Sequence, residues 1–396
     1  MKKTLITLGS LALLFGSCKK EGCTDTQASN YDEKAKEDDG SCTYSIDYYV
    51  PDTYTFTDAN GNSTVSFTGQ TQRAAMLTEL TNLMKTGNTA GTTVSASDLK
   101  KMYANSGYTW ADSKNLGLAA SGKDLKSKTA QGDAGIQAQF EAYMDSVEAH
   151  STGSGSVTGG PGVAGVWPND GKKGPYLMSA TGVEYIQLVE KGLMCAVFLN
   201  QMTVHYLNDL NSDDNTTVLS GKTYTEMEHH WDEAFGYFTS YIDFPSNGTN
   251  EFWGKYTHNL EGSLGSASKL MEAFKKGRTA ITKKDYTVRD QQVSIIRSEI
   301  EKACAATVVH YLNEVKASTA YPSARNHSMS EAYAFLNGLR YSYNCINGVG
   351  SMSTADVDAL LNSLGMDFNN LSLTAIQQAI DTLASKYGFE DVKANL

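Results

Sequence analysis

The chain has 396 residues, 40% hydrophobic, 10% aromatic and 19% charged, which is enough apolar material to exclude wholesale disorder. Lys and Arg total 33 against 44 Asp and Glu, a formal charge of −11, so the positive footprint that nucleic acid needs is missing. Acidic balance favours solubility and attracts cations at long range, and only six prolines suit long helices better than a turn-rich β-sandwich.

Residues 1–17 read as an export address. Lys2 and Lys3 make a basic start, Leu5 to Phe15 is a short apolar run, and Gly16-Ser17 places small residues before Cys18. The run is too short to be a permanent membrane helix. The pattern resembles a bacterial lipoprotein signal, which implies cleavage before Cys18, lipidation of its thiol, and a body anchored at the cell envelope, expected at the outer membrane. The leaflet and the periplasmic or surface orientation are not legible in Lys19-Lys20-Glu21. No later segment is long and apolar enough to span.

Residues 18–44 hold too little apolar material for a core, so a disulfide between Cys23 and Cys42 is expected to staple them. Asp25, Asn30, Asp32, Asp38 and Asp39 offer the oxygen ligands that calcium prefers. The alternative is a solvated spacer between lipid and body. The wording resembles small C-T-D-x-x-A-x-N-Y…D-D-G-S-C modules of secreted Bacteroidetes proteins. Cys195, Cys304 and Cys345 fall in apolar helical patterns and are expected to be buried free thiols.

Alternation on both sides of Asn60-Gly61 predicts a short β-hairpin across 54–67. From residue 70 the period becomes helical. Leu77, Leu80, Leu83 and Met84 mark one helix; Ser97-Asp98 opens a second and Asp133 to His150 a third. A Gly/Ser-rich connection follows over 151–175, with Trp167 and Tyr176 expected to pack. Helices are then predicted over Ser179–Leu210, Thr223–Tyr241, Asn250–Lys276, Asp285–Val315, Ser328–Cys345, Thr354–Leu364 and Thr374–Lys386. The fold class is all-α, within a 45–396 domain of two packed bundles over about 70–175 and 176–396.

The densest cluster of metal-type side chains is Glu226-Met-Glu-His229-His230-Trp-Asp-Glu233. On a helix His230 and Glu233 share a face, which supplies half of a metal site; a facing helix must supply the rest, with Glu184 or His327 as candidate completions. The alternative is a satisfied hydrogen-bonded pair. Glu331 fits a Ser-x-x-Glu capping box from Ser328. His205 and His310 sit in core-like stripes and read as packed histidines. No His-Glu-x-x-His, Gly-x-Ser-x-Gly or complete phosphate loop is present, and Glu-x-x-His occurs once at 226–229, without the second copy that a di-iron bundle needs.

Glu184-Tyr-Ile-Gln-Leu-Val-Glu, His230-Trp-Asp-Glu233-Ala-Phe-Gly-Tyr, Phe274-Lys-Lys-Gly-Arg-Thr-Ala-Ile and His327-Ser-Met-Ser-Glu-Ala form a recognisable series. It resembles a Bacteroidetes lipoprotein family of unassigned function related to the imelysin-like proteins, over roughly residues 45–390. That resemblance implies two helical bundles and a G-x-H-x-x-E metal motif, whose histidine and glutamate fall on His230 and Glu233. Glu228 stands where the motif has glycine. The implied function is capture of iron or another divalent metal, or of a metal-bearing ligand, at the cell envelope, with an envelope transporter as candidate partner. The alternatives are a metal-free helical interaction or scaffold lipoprotein and a metallopeptidase, an old label of the imelysin-like proteins that the residues here do not support.

Overall fold

A computed structural model describes residues 20–24, 30–43, 49–247 and 251–396, so the leader, Cys18 and Asp25 lie outside the described residues. The chain divides into two units, 1–49 and 50–396.

In the first unit Cys23 and Cys42 are disulfide-bonded, as their spacing predicts. The Asn30 side chain donates to Ser41 O at 2.6 Å and accepts from Thr43 N at 2.7 Å. Asp32 accepts from Lys34 N and pairs with Lys20, while Asp38 and Asp39 accept from the backbone two residues on. These oxygens are engaged in local turns.

The second unit begins with the Asn-Gly turn, reduced to a single bridge between Thr57 and Ser63. Asp58 stabilises it by accepting from Asn60 N and Asn62 N. Pairing stops there because the flanking residues are bound to the helical body: Tyr54 OH donates to Asp232 at 2.7 Å and Ser66 N to the same carboxylate at 3.0 Å. Three helices follow, α1 (Thr68–Lys85), α2 (Ala96–Tyr103, capped by Ser95) and α3 (Ala134–Ser151, capped by Asp133). The Gly/Ser-rich connection carries an antiparallel pair, β1 (Gly165–Trp167) with β2 (Tyr176–Met178), and Trp167 is buried as expected.

Helix α4 (Tyr185–Leu193) continues through two π-helical stretches, Met194–Leu199 and Gln201–Tyr206, into α5 (Leu207–Asp209). Then come α6 (Glu226–Phe238), α7 (Phe252–Asn259), α8 (Glu261–Leu264), α9 (Ser266–Lys283), α10 (Tyr286–Lys316), α11 (Pro322–Gly338), α12 (Tyr343–Asn347), α13 (Thr354–Leu364) and α14 (Leu373–Tyr387). The single helix expected over 250–276 is broken at Leu260, where α7 ends, and again at Gly265, which takes a left-handed turn before α9. Helix α11 starts at Pro322, a residue suited to a first turn, so Ser328 and Ser330 are interior to it and do not cap it.

Helix α10 is the spine. Ala303 to Val309 are buried without interruption, because α9, α11 and α14 pack around it and leave no solvent stripe at that level. Helices α6 and α9 approach closely where Trp231 lies on Gly277; any Cβ there would collide with the indole ring. Cys195, Cys304 and Cys345 are buried free thiols. Each buried Leu, Ile or Phe of this core contributes roughly 1.5–3 kcal/mol. The fold is all-α, and among the described residues no helix is long and apolar enough to cross a membrane.

Candidate functional site

Helix α6 is fixed at its start by a reciprocal capping box: Thr225 Oγ accepts from Glu228 N at 3.2 Å, and Glu228 accepts from Thr225 N at 2.9 Å. Trp231, Ala234, Phe235 and Phe238 bury one face. Asp232 is buried with them and is held by Tyr54, Ser66 and Arg278, whose Nε lies 3.1 Å away. Burial raises its pKa to about 6, against the opposing pull of the Arg278 guanidinium. Arg278 also reaches Glu228 at 2.7 Å and Thr64 at 3.1 Å.

His229, His230 and Glu233 lie on the other, half-exposed face. His230 Nδ1 lies 2.9 Å from Asp213, in the loop before α6. His229 Nδ1 donates to Ser66 O at 3.1 Å and its Nε2 is 3.8 Å from Glu233. Glu233 accepts from Gln70 of α1 at 3.0 Å. The second π-helical stretch brings His205 and Tyr206 to this face, with His205 3.3 Å from Asp209 and the Tyr206 ring centroid 5.6 Å from that of His230. π turns displace side chains from the α-helical stripe and recur at functional sites. Gln70 Oε1 is buried beside Glu233 without a hydrogen-bond partner of good geometry, and the buried Tyr237 hydroxyl lies among Gln70, Arg73 and Glu233.

The three histidines differ electrostatically. Burial opposes charging of His230, but the hydrogen bond and charge of Asp213 outweigh it and raise its pKa. Burial lowers the pKa of His205 and of His229, against the partial support of Asp209 and Glu233. His205 is therefore part of a polar face and not the packed histidine its sequence context suggests; His310 is exposed.

Glu184 and His327 are brought together, but with each other. His327 Nδ1 is 2.6 Å from Glu184 and its Nε2 3.4 Å from Glu331, while the Tyr176 ring stacks on the imidazole at 4.2 Å. Glu331 thus serves His327 and not a capping box. A chain of charges continues through the core to an exposed end: Lys191 lies 3.5 Å from Glu331 and 2.9 Å from Glu190, which the exposed Lys85 meets at 3.1 Å. Gln187 and Ser330 complete the surroundings of Glu184. Three cations alternate with three carboxylates only if His327 is protonated. Its pKa is indeed raised, because Glu184 and Glu331 outweigh the burial that opposes charge.

Among the described residues no three His, Cys, Asp or Glu side chains converge as a ready metal-ligand set. The donors on α6 are held in pairs. Asp213, Asp209 and Gln70 are the participants that sequence reasoning missed; only the His205–Asp209 spacing of four carried a local clue.

The family model described as a domain of unknown function (DUF4856) matches residues 51–390. The chain belongs to that family. No curated protein and no solved structure matches it. The matched span contains both the α6 face and the His327 chain and begins after the disulfide module of the DUF4856 chain.

Proposed function

We infer that this protein is an envelope-anchored binding protein, related to the imelysin-like proteins, that takes a metal-bearing ligand at the α6 face in the service of iron uptake. The observation that carries this reading is the partly exposed face where His229, His230 and Glu233 come together beside the buried Gln70 Oε1, which lacks a hydrogen-bond partner of good geometry. Buried polar atoms of this kind cost about 1–3 kcal/mol each when left unmet, so a ligand or water that meets them is favoured. A bare ion needs three or four converged protein donors, whereas a metal that arrives with its own ligands needs one or two. Paired histidines with one accessible edge suit the second case. A bound metal would displace the proton that Asp213 stabilises on His230, making uptake weaker at low pH. The lipoprotein-like start, with Cys18 as the acylated residue, supports the envelope address.

A second reading, a helical interaction or scaffold lipoprotein that binds no metal, draws on the fact that His205, His229 and His230 each already face a carboxylate. Metal content and calorimetric titration separate the two. A soluble form starting after Cys18 is titrated with ferric citrate, ferrous ion and zinc, beside a His230→Ala/Glu233→Ala double variant. Saturable binding that the double variant loses at least tenfold supports the first reading. Wild type and variant that are equally inert toward all three probes leave the scaffold.

A further inference from the structure

A polar cavity, of about 530 Å³, opens between α10, α12 and the end of α14, and its lining shares no residue with the α6 face. Ser294, Arg297, Ser298 and Glu301 line it from one stripe of α10, at helical spacings of three and four; Tyr343 and Tyr387 close it from the other side. Arg297 and Glu301 are four residues apart, where opposite charges on a helix ordinarily pair. Here they do not.

Each is held by other groups. The Arg297 guanidinium lies flat on the Tyr343 ring, 3.3 Å from its centroid, and Nε donates to Thr203 O at 3.0 Å. Its Nη2 is buried without a hydrogen-bond partner of good geometry; Tyr343 is the group that supports its charge, and no carboxylate among the described residues does. Glu301 accepts from Ser342 at 3.0 Å and Tyr387 at 2.7 Å, with no cation beside it, and burial raises its pKa. A guanidinium without a counter-ion and a carboxyl without a cation thus line one cavity. Glu301 is hydrogen-bonded but, like Arg297, not neutralised by an opposite charge, and a ligand that carries the complementary charges would offset that cost.

We propose that this cavity binds a small zwitterion of amino-acid or dipeptide size, its carboxylate on Arg297 and its ammonium toward Glu301. A guanidinium is the natural partner of a carboxylate, and the stacked Tyr343 ring keeps this one oriented. The serine hydroxyls supply the remaining polar contacts. Val349, at the mouth and 68% exposed, offers apolar surface to an aliphatic side chain.

Calorimetric titration of the soluble protein tests this, with L-leucine, L-serine and Ala-Ala as probes and acetate, ethylammonium and inorganic phosphate as single-charge controls. Saturable binding of at least one zwitterion is expected, at least tenfold tighter than any control. Arg297→Gln and Glu301→Gln should each weaken it at least tenfold. Because Glu301 is buried and its variant could fail to fold, Ser298→Trp at an exposed lining position provides a second obstruction and should abolish binding while the melting transition persists. His230→Ala/Glu233→Ala should leave it unchanged, which separates this cavity from the α6 face. No heat with any zwitterion, equal binding of acetate or phosphate, or indifference to Arg297→Gln would overturn the proposal.

Discussion

His230 and His327 are both histidines on helices with a carboxylate three or four residues further on, yet their surroundings make them opposites. His327 has carboxylates on both ring nitrogens, a tyrosine on its face and a buried lysine behind one partner. His230 has one strong partner, Asp213, and a second edge toward a partly exposed face where Gln70 keeps one oxygen unspent. The first arrangement is closed and belongs to the core; the second is incomplete and belongs to a surface that can receive something. The motif alone does not distinguish them. What separates them is whether the second nitrogen and the nearby oxygens are already engaged.

The sharpest way to break this contrast is to open the buried chain. Lys191→Met leaves Glu190 and Glu331 facing each other without their shared cation, and removing one partner of a buried ion pair costs about 3–5 kcal/mol. Urea denaturation should show that loss; a change below 1 kcal/mol would mean the chain is hydrated and not part of the core. Next in size is His327→Gln, expected to cost about 1.5–3 kcal/mol below neutral pH through its charge-assisted hydrogen bonds.

The same variant tests the pH dependence. The folded pKa of His327 lies above its unfolded value near 6.5, so its contribution is full below that pH and fades as pH rises through the folded value. Wild-type stability should decline over that window, and His327→Gln should flatten the decline. An unchanged profile would assign the slope to other groups.

On the partly exposed side, His230→Ala/Glu233→Ala should cost about 1–3 kcal/mol, less than Lys191→Met, because it leaves Asp213 and the Gln70 amide without their partners but strands no fully buried ion pair. If it destabilises as much as Lys191→Met, the α6 face is structural and the contrast fails. The smallest effect is expected from Asp213→Asn: stability nearly unchanged, with the His230 pKa lowered in an NMR titration, since Asp213 is what holds it up.

How far the sequence carried depended on the range of each interaction. The capped starts of α3, α13 and α14 follow from local chemistry and are found close to where the residues put them. The pairing of Cys23 with Cys42 was equally legible. The α6 motif could be placed on one face from spacing, but its real partners come from elsewhere: Gln70 is 163 positions away from Glu233 and Asp213 is 17 from His230. The π-helical stretches shift His205 off the core stripe, and a search at a period of 3.6 is blind to that shift. Glu331 was misread because Ser328-x-x-Glu331 is a good cap in isolation; Pro322 starts the helix earlier and turns that glutamate inward.

The knot of Asp232, Arg278, Tyr54, Ser66 and Thr64 also sets an order of assembly. Its bonds join residues 166, 178 and 214 positions apart. As the chain is synthesised, residues 54–66 must wait until α6 and then α9 have arrived before their partners exist. Closing such long loops is slow compared with forming helices. The segment that seats the histidine face is thus among the first made and the last to be locked, so that face matures only when Arg278, about 70% of the way along the 396 residues, has been made.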